Sequence, residues 1–248
     1  STAPYGWNDG PMIPNRGFQS YNTVGVYLKM KFISVQFRPQ IVFAQNKSFG
    51  GFPQSYADNL WANRYVFYNW TDNPERFTKP VQQFYTGQSN IKFRFKSVSA
   101  GVSTENLWWG PGKNNSLLMS NNAPGFAHVF IKTEKPIITK IGRFEFQLIA
   151  GNLEGSGEMP PDTGRMYNGK KLYREKPADS KRYLNGLIAV YQPSFLKGFS
   201  AGIGRILYMY QTDRRNSFDG FLPVFGFLYK NKTTDEDNKR RDQMLSLY

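Results

Sequence analysis

Glu105 and Glu145 are the two carboxylates that strand alternation could set across an enclosed space, and a carboxylate pair is what glycoside cleavage requires. The two groups would have to lie about 5 to 9 Å apart. Other routes to catalysis are narrow. With no cysteine in 248 residues, disulfides, thiolate metal sites and cysteine nucleophiles are all excluded. His128 is the single histidine, so a Ser-His-Asp arrangement would have to use it, and a histidine-rich metal cluster is impossible. On the segment after an amide-rich loop, His128 reads as a satisfied polar residue. The Asp235-Glu236-Asp237 run lacks the spaced ligands of a calcium loop and reads as solvated. The chain is therefore expected to be no enzyme, with no cofactor and no metal.

What the composition offers instead is charge and aromatic surface. The net charge is +14 and aromatics make up 17% of the residues. Such an excess of cations points to a polyanionic partner: nucleic acid, anionic lipid or acidic polysaccharide. Lys92, Arg94, Lys96 and Arg143, with Lys29, Lys31, Arg38 and Lys132, all fall on the polar sides of alternating segments. A sheet that curves on itself would gather them inside or around its mouth. There they repel one another unless a polyanion, or Glu105 and Glu145, compensates. Arginine can hold a uronic-acid carboxylate in bidentate fashion.

A second group of candidates lies in the loop from Glu105 to Phe126, ENLWWGPGKNNSLLMSNNAPGF. The flat indoles of Trp108 and Trp109 could stack on sugar rings; the commoner role for such tryptophans is to anchor a loop at a wall or interface. Gly110, Pro111 and Gly112 would fix a tight turn beside them. The amides of Asn114, Asn115, Asn121 and Asn122 suit hydroxyl groups, and equally suit cross-linking of the loop backbone. Leu117, Leu118 and Met119 would tuck the loop into an interior as a constriction or plug.

The elements that must position these residues are strands. Val24, Val26, Leu28, Met30 and Phe32 share one face, with Gly25, Tyr27, Lys29 and Lys31 on the other. Val35, Phe37, Ile41 and Phe43 oppose Gln36, Arg38 and Gln40, with Pro39 as an interruption. Ile91, Phe93 and Phe95 oppose Lys92, Arg94 and Lys96; Val98, Ala100 and Val102 oppose Ser99, Gly101 and Ser103; Phe144, Phe146 and Leu148 oppose Arg143, Glu145 and Gln147. Helical periodicity hardly shows. About nine strands follow, paired by short turns and separated by long loops, which is the asymmetry of an outer-membrane barrel. Cations on a lipid-facing surface would cost roughly 2–4 kcal/mol each near the midplane, so the phenylalanines must face the apolar surroundings. The competitor is a soluble carbohydrate-binding β-sandwich, whose strands alternate in the same way. Residues 1–248 read as one unit. The start at Ser1 and the strand-like close DQMLSLY suggest part of a longer protein.

The 105–126 loop, with GWNDGPMIPNRGFQ near the start, NPERF at Asn73 to Phe77 and GQSNIKFRF at Gly87 to Phe95, resembles the capsule-assembly Wzi family, particularly its Bacteroidetes-type members. The resemblance spans roughly Gly6 to Ala150. It implies an all-β, antiparallel transmembrane β-barrel of about eighteen strands, of which this chain would cover about half. It implies residence in the outer membrane of a Gram-negative cell, amid outer-membrane lipid, and binding or anchoring of anionic capsular polysaccharide or lipopolysaccharide, with no nucleic acid. An accessory barrel in a larger outer-membrane secretion or glycan-uptake complex, bound to protein partners, is the alternative within the same fold.

Overall fold

The computed structural model describes residues 4–6, 9–71, 74–77, 79–175, 181–228 and 240–248. The Asp235-Glu236-Asp237 run, Trp7 and Asn8 of the first matching block and Asn73 of the second lie outside the described residues.

Alternation builds a wall. In chain order the strands are β1 (Gln19–Thr23), β2 (Val26–Lys29), β3 (Ile33–Phe37), β4 (Gln40–Ala44), β5 (Val81–Tyr85), β6 (Asn90–Phe95), β7 (Val98–Ser103) and β8 (His128–Thr133). Then come β9 (Ile137–Ile138), β10 (Gly142–Leu153), a small hairpin of β11 (Met166–Tyr167) and β12 (Lys170–Lys171), β13 (Arg182–Pro193), β14 (Ala201–Tyr210) and β15 (Arg241–Leu247). A ten-stranded sheet runs β2-β3-β6-β7-β8-β10-β13-β14-β15, with β9 beside β10 off that path. Every pairing along it is antiparallel, so the wall is an up-and-down meander. Its edges β2 and β15 do not pair with each other, so the sheet is not closed as a barrel.

Both ends of the wall differ as expected. Residues 30–32, 96–97, 134–141 and 194–200 make the connections at one end, and 45–80, 104–127, 154–181 and 211–240 those at the other.

The faces sort as the alternation requires. Phe93 and Phe95 are 57% and 71% exposed, and Val26, Leu28, Val102, Val129 and Ile131 point out with them. Lys92, Ser99, Ser103 and His128 lie on the opposite face, where the last three are buried. No second sheet covers the phenylalanines among the described residues, where a β-sandwich would pack one against them.

Two expected strands are broken at one level, and a third break there falls before β6, beside a strand the alternation did not show. Gly25 separates β1 from β2, Pro39 separates β4 from β3, and the stretch around Gly87 separates β5 from β6. Pro39 cannot donate to a ladder. Gly87 has φ +63°, and a β-carbon there would sit 2.5 Å from the Arg38 carbonyl oxygen. Beyond the breaks, β1-β4-β5 form a separate three-stranded sheet, closed over Val42, Ala44, Phe77, Val81 and Ile13.

A helix also stands where none was expected: α1 (Asp58–Trp70) within the 45–80 connection. Trp61, Tyr65 and Tyr68 recur at helical spacing and bury one face against Tyr173, Phe52 and Leu172. Leu60, Phe67 and Trp70 are exposed on the other face, so the helix is apolar on both sides and the period is blurred in the sequence.

Outside β13 and β14 a short helix, α2 (Phe218–Phe221), and the 3₁₀ turn Pro223–Leu228 lie over the outward face. Arg205 donates to the Val224 carbonyl at 3.0 Å and the Val224 amide donates to Asn185 at 3.0 Å. At this patch the outward face is covered by the chain itself.

Candidate functional site

The 105–126 loop packs on the inward face of the wall. Trp109 is 2% exposed and joins Phe130, Ile149, Leu184 and Ile206 in one core, with Leu118, Met119 and Phe126 against it. Two strand glycines make the seat. A β-carbon on Gly186 would lie 2.7 Å from the Trp109 ring, and one on Gly204 2.7 Å from Leu118. Trp109 Nε1 donates to Gln147 at 3.0 Å, so the indole is tied to β10 as well as buried. These glycines and Gln147 were not among the sequence candidates; the signal was present as small residues on the inward parity of two consecutive strands.

The loop is cross-linked internally. Leu117 N donates to the Trp109 carbonyl (3.1 Å), Ser116 Oγ to the same carbonyl (2.7 Å), and Trp108 Nε1 to Gly112 (2.7 Å). Gly110 takes φ +127°, a value open to glycine, and makes the turn with Pro111 and Gly112. Asn121 accepts at its carbonyl from Gly10 N at 2.8 Å, binding the loop to the chain's first segment. Asn114 and Asn122 sit at the exposed side, Asn122 beside Ala123, whose carbonyl accepts from Asn106 (2.7 Å). Trp109 therefore presents no free face to a sugar, whereas Trp108, 38% exposed, does.

Between the loop and the wall is a cavity of about 320 Å³, lined by Glu105, Asn106, Trp108, His128, Lys132 and Gln147 among others. Its lining is mostly polar. Glu105 accepts from Asn90 (2.9 Å), Gln36 (3.3 Å) and Ser103 (3.1 Å), and is held as a structural carboxylate. His128 is buried and donates Nδ1–H to the Phe126 carbonyl at 2.8 Å.

Next to the cavity lies a cationic cluster. Register sets Arg94, Ser99, Lys132 and Gln147 side by side across β6, β7, β8 and β10. Two residues from Arg94 along β6, Lys92 pairs with Glu134 at 3.2 Å, and Ser99 donates to the same carboxylate at 2.7 Å. Burial works to raise the Glu134 carboxyl, and the hydrogen bonds from Ser99 and Lys92 outweigh it, holding the group below the usual range. Lys132 lies over the Phe130 ring at 5.5 Å and has no ion-pair partner among the described residues. Glu134 is the carboxylate that pairs with this cluster directly, through Lys92, and its place just past the strand end kept it out of the alternating pattern.

Lys29, exposed, aligns through Ser34 with Lys92 at the edge of this cluster. Lys96 is in the β6–β7 turn over the Phe95 ring at 5.4 Å, Arg143 is exposed near the start of β10, and Lys31 lies in the β2–β3 turn. Glu105 and Glu145 are not opposed. Ser103, beside Glu105, aligns through His128 with Gly151, six residues from Glu145 along β10, which is about 20 Å of strand. That is well beyond the reach of a glycosidase pair.

The fold and site together define a mostly antiparallel β protein with an apolar outward face, an inward face on which polar and charged residues flank an apolar core, and a loop anchored in that core. The chain belongs to the family described as Capsule assembly protein Wzi, which matches residues 5–240. No curated protein and no solved structure matches it.

Proposed function

We propose that this chain forms part of the wall of a closed outer-membrane β-barrel of about eighteen strands, and that it holds anionic capsular polysaccharide by charge, without chemistry. The observation that carries this is the division of the wall. Phe93 and Phe95 face out, while Lys92, Arg94 and Lys132 face in, with Glu134 paired to Lys92 and no ion pair formed by Lys132 among the described residues. Burying a like-charged cluster in a polar interior is unfavourable without a counter-charge, and a polyanion supplies it. Uronic-acid carboxylates would meet Arg94 and Lys132, a pyranose face would meet Trp108, and the seated loop would narrow the interior around them.

Membership of the capsule-assembly family supports the polysaccharide as the polyanion. An open sheet in lipid leaves backbone groups unsatisfied at several kcal/mol each, which supports further strands or a partner completing the wall.

The test uses capsule from the cell that makes this protein and the detergent-purified protein. Changing Lys92, Arg94 and Lys132 together to Gln is expected to lower affinity by at least tenfold at low salt, with the wild-type binding lost as salt rises. Unchanged, salt-insensitive binding would remove the cluster from the mechanism. A stoichiometric protein recovered after mild detergent extraction would favour the accessory-subunit reading.

A further inference from the structure

A second cavity, of about 370 Å³, opens at the long-connection end of the wall, away from the cationic cluster. Its volume lies in the range of small-ligand sites. Phe49, Phe52, Trp61, Tyr65, Tyr68 and Phe77 supply most of its apolar lining. Helix α1 brings three of them from one face, and the β11–β12 hairpin locks the helix in place: Asn69 Nδ2 donates to the Leu172 carbonyl (3.0 Å) and Asn69 Oδ1 accepts from Arg174 N (2.9 Å).

Three lining residues, Trp61, Asn46 and Arg165, carry buried polar atoms that the protein leaves unmatched, the Arg165 atom being the donor Nε. Trp61 Nε1, a donor, has no hydrogen-bond partner. Asn46 spends its Nδ2 on the carbonyls of Phe77 and Lys79, which makes Oδ1 the remaining acceptor, and Oδ1 is also without a partner. A buried polar atom left unsatisfied costs about 1–3 kcal/mol, so three in one cavity mark a place built for a polar ligand. The unmet requirements are of both kinds. Trp61 and Arg165 need an acceptor and Asn46 a donor, and a hydroxyl is both.

The charges around this cavity are already paired. Glu75 meets Arg64 at 2.9 Å and accepts from Phe52 N at 3.0 Å; Arg165 meets Asp58 at 2.9 Å and lies over the Trp61 ring at 4.3 Å. Lys47 and Asp162 balance each other in sign. No net charge is left over to select an ion.

We infer that this cavity binds a neutral pyranose residue, with its hydroxyls on Trp61 and Asn46 and its C–H faces against the aromatic lining. The site is separate from the cationic cluster and rests on the function proposed above only in facing the cell exterior. In detergent the two fail independently, since capsule affinity reports on one and small neutral sugars on the other.

The experiment is saturation-transfer NMR on the full, detergent-purified protein with methyl α-glucopyranoside and methyl α-mannopyranoside as probes and glucuronate as the charged comparison. Transfer to at least one neutral probe, and not to glucuronate, is expected. Trp61→Phe keeps an aromatic ring, though a smaller one, and removes the N–H, and should weaken that binding about tenfold. Ser48→Trp, on the exposed rim, should block it without touching the core. Absence of transfer to either neutral probe, binding unaffected by both variants, or glucuronate binding that Trp61→Phe abolishes would each overturn the inference.

Discussion

The six-membered ring of Trp109 lies over Gly186 so closely that a β-carbon there would stand 2.7 Å from Cη2 and 3.0 Å from Cζ3. The loop can be seated because β13 offers no side chain at that point. Gly186→Leu should therefore expel the indole from its place between Phe130, Ile149 and Ile206. Limited proteolysis is expected to cut the 105–126 loop in the variant and spare it in the wild type. Trp109→Ala leaves a void instead, and should cost about 3–5 kcal/mol in denaturant melts.

Lys92 and Lys132 carry the same charge in different company. Lys92→Gln breaks the ion pair and leaves Glu134 with Ser99 alone, and should cost up to about 1 kcal/mol of stability as well as weakening polyanion binding. Lys132→Gln removes a cation that has no ion-pair partner, so binding should fall several-fold at low salt while stability holds. Equal stability loss in both would refute the difference.

Phe93 tests the outward face. Replacing it by Arg should lower the free energy of folding into lipid by roughly 2–4 kcal/mol if β6 crosses near the midplane. The matched change Ser99→Arg, on the inward face, would instead crowd Lys132 and Arg94, and its cost should shrink with added salt. Lipid-vesicle folding titrations at two salt concentrations distinguish the two.

Tyr68 gives a pH signature to the α1 region. Burial first, then its hydrogen bond to Glu75, opposed by Arg64, pushes the phenol from 10.0 up to about 12. A phenol held up in the folded state stabilises it fully below the ordinary value. That contribution is lost as pH rises from about 10 towards 12. Thermal melts across this window should decline, and Tyr68→Phe should flatten the decline.

Much of the wall was legible residue by residue. The parity of Ile91, Phe93 and Phe95 against Lys92 and Arg94 placed the faces correctly, because a one-residue slip would put every cation outside. Pro39 marked a real break, since proline cannot donate to a ladder wherever it stands. Helix α1 was hidden because Leu60, Phe67 and Trp70 leave its outer face as apolar as its inner one. β5 was hidden because Val81-Gln82-Gln83-Phe84-Tyr85 barely alternates. The loop was recognisable as rigid, yet which of its two tryptophans remained exposed was not.

By itself the sequence determined the period-two pattern, hence strands, their two faces and the sorting of grease from charge, all of which follow from local backbone geometry. Only the tertiary structure decided that Trp109 sits on Gly186, that Glu134 answers Lys92, and that Glu105 and Glu145 stand far apart. Those facts depend on register between strands distant in the chain, and register is set by how whole segments pack.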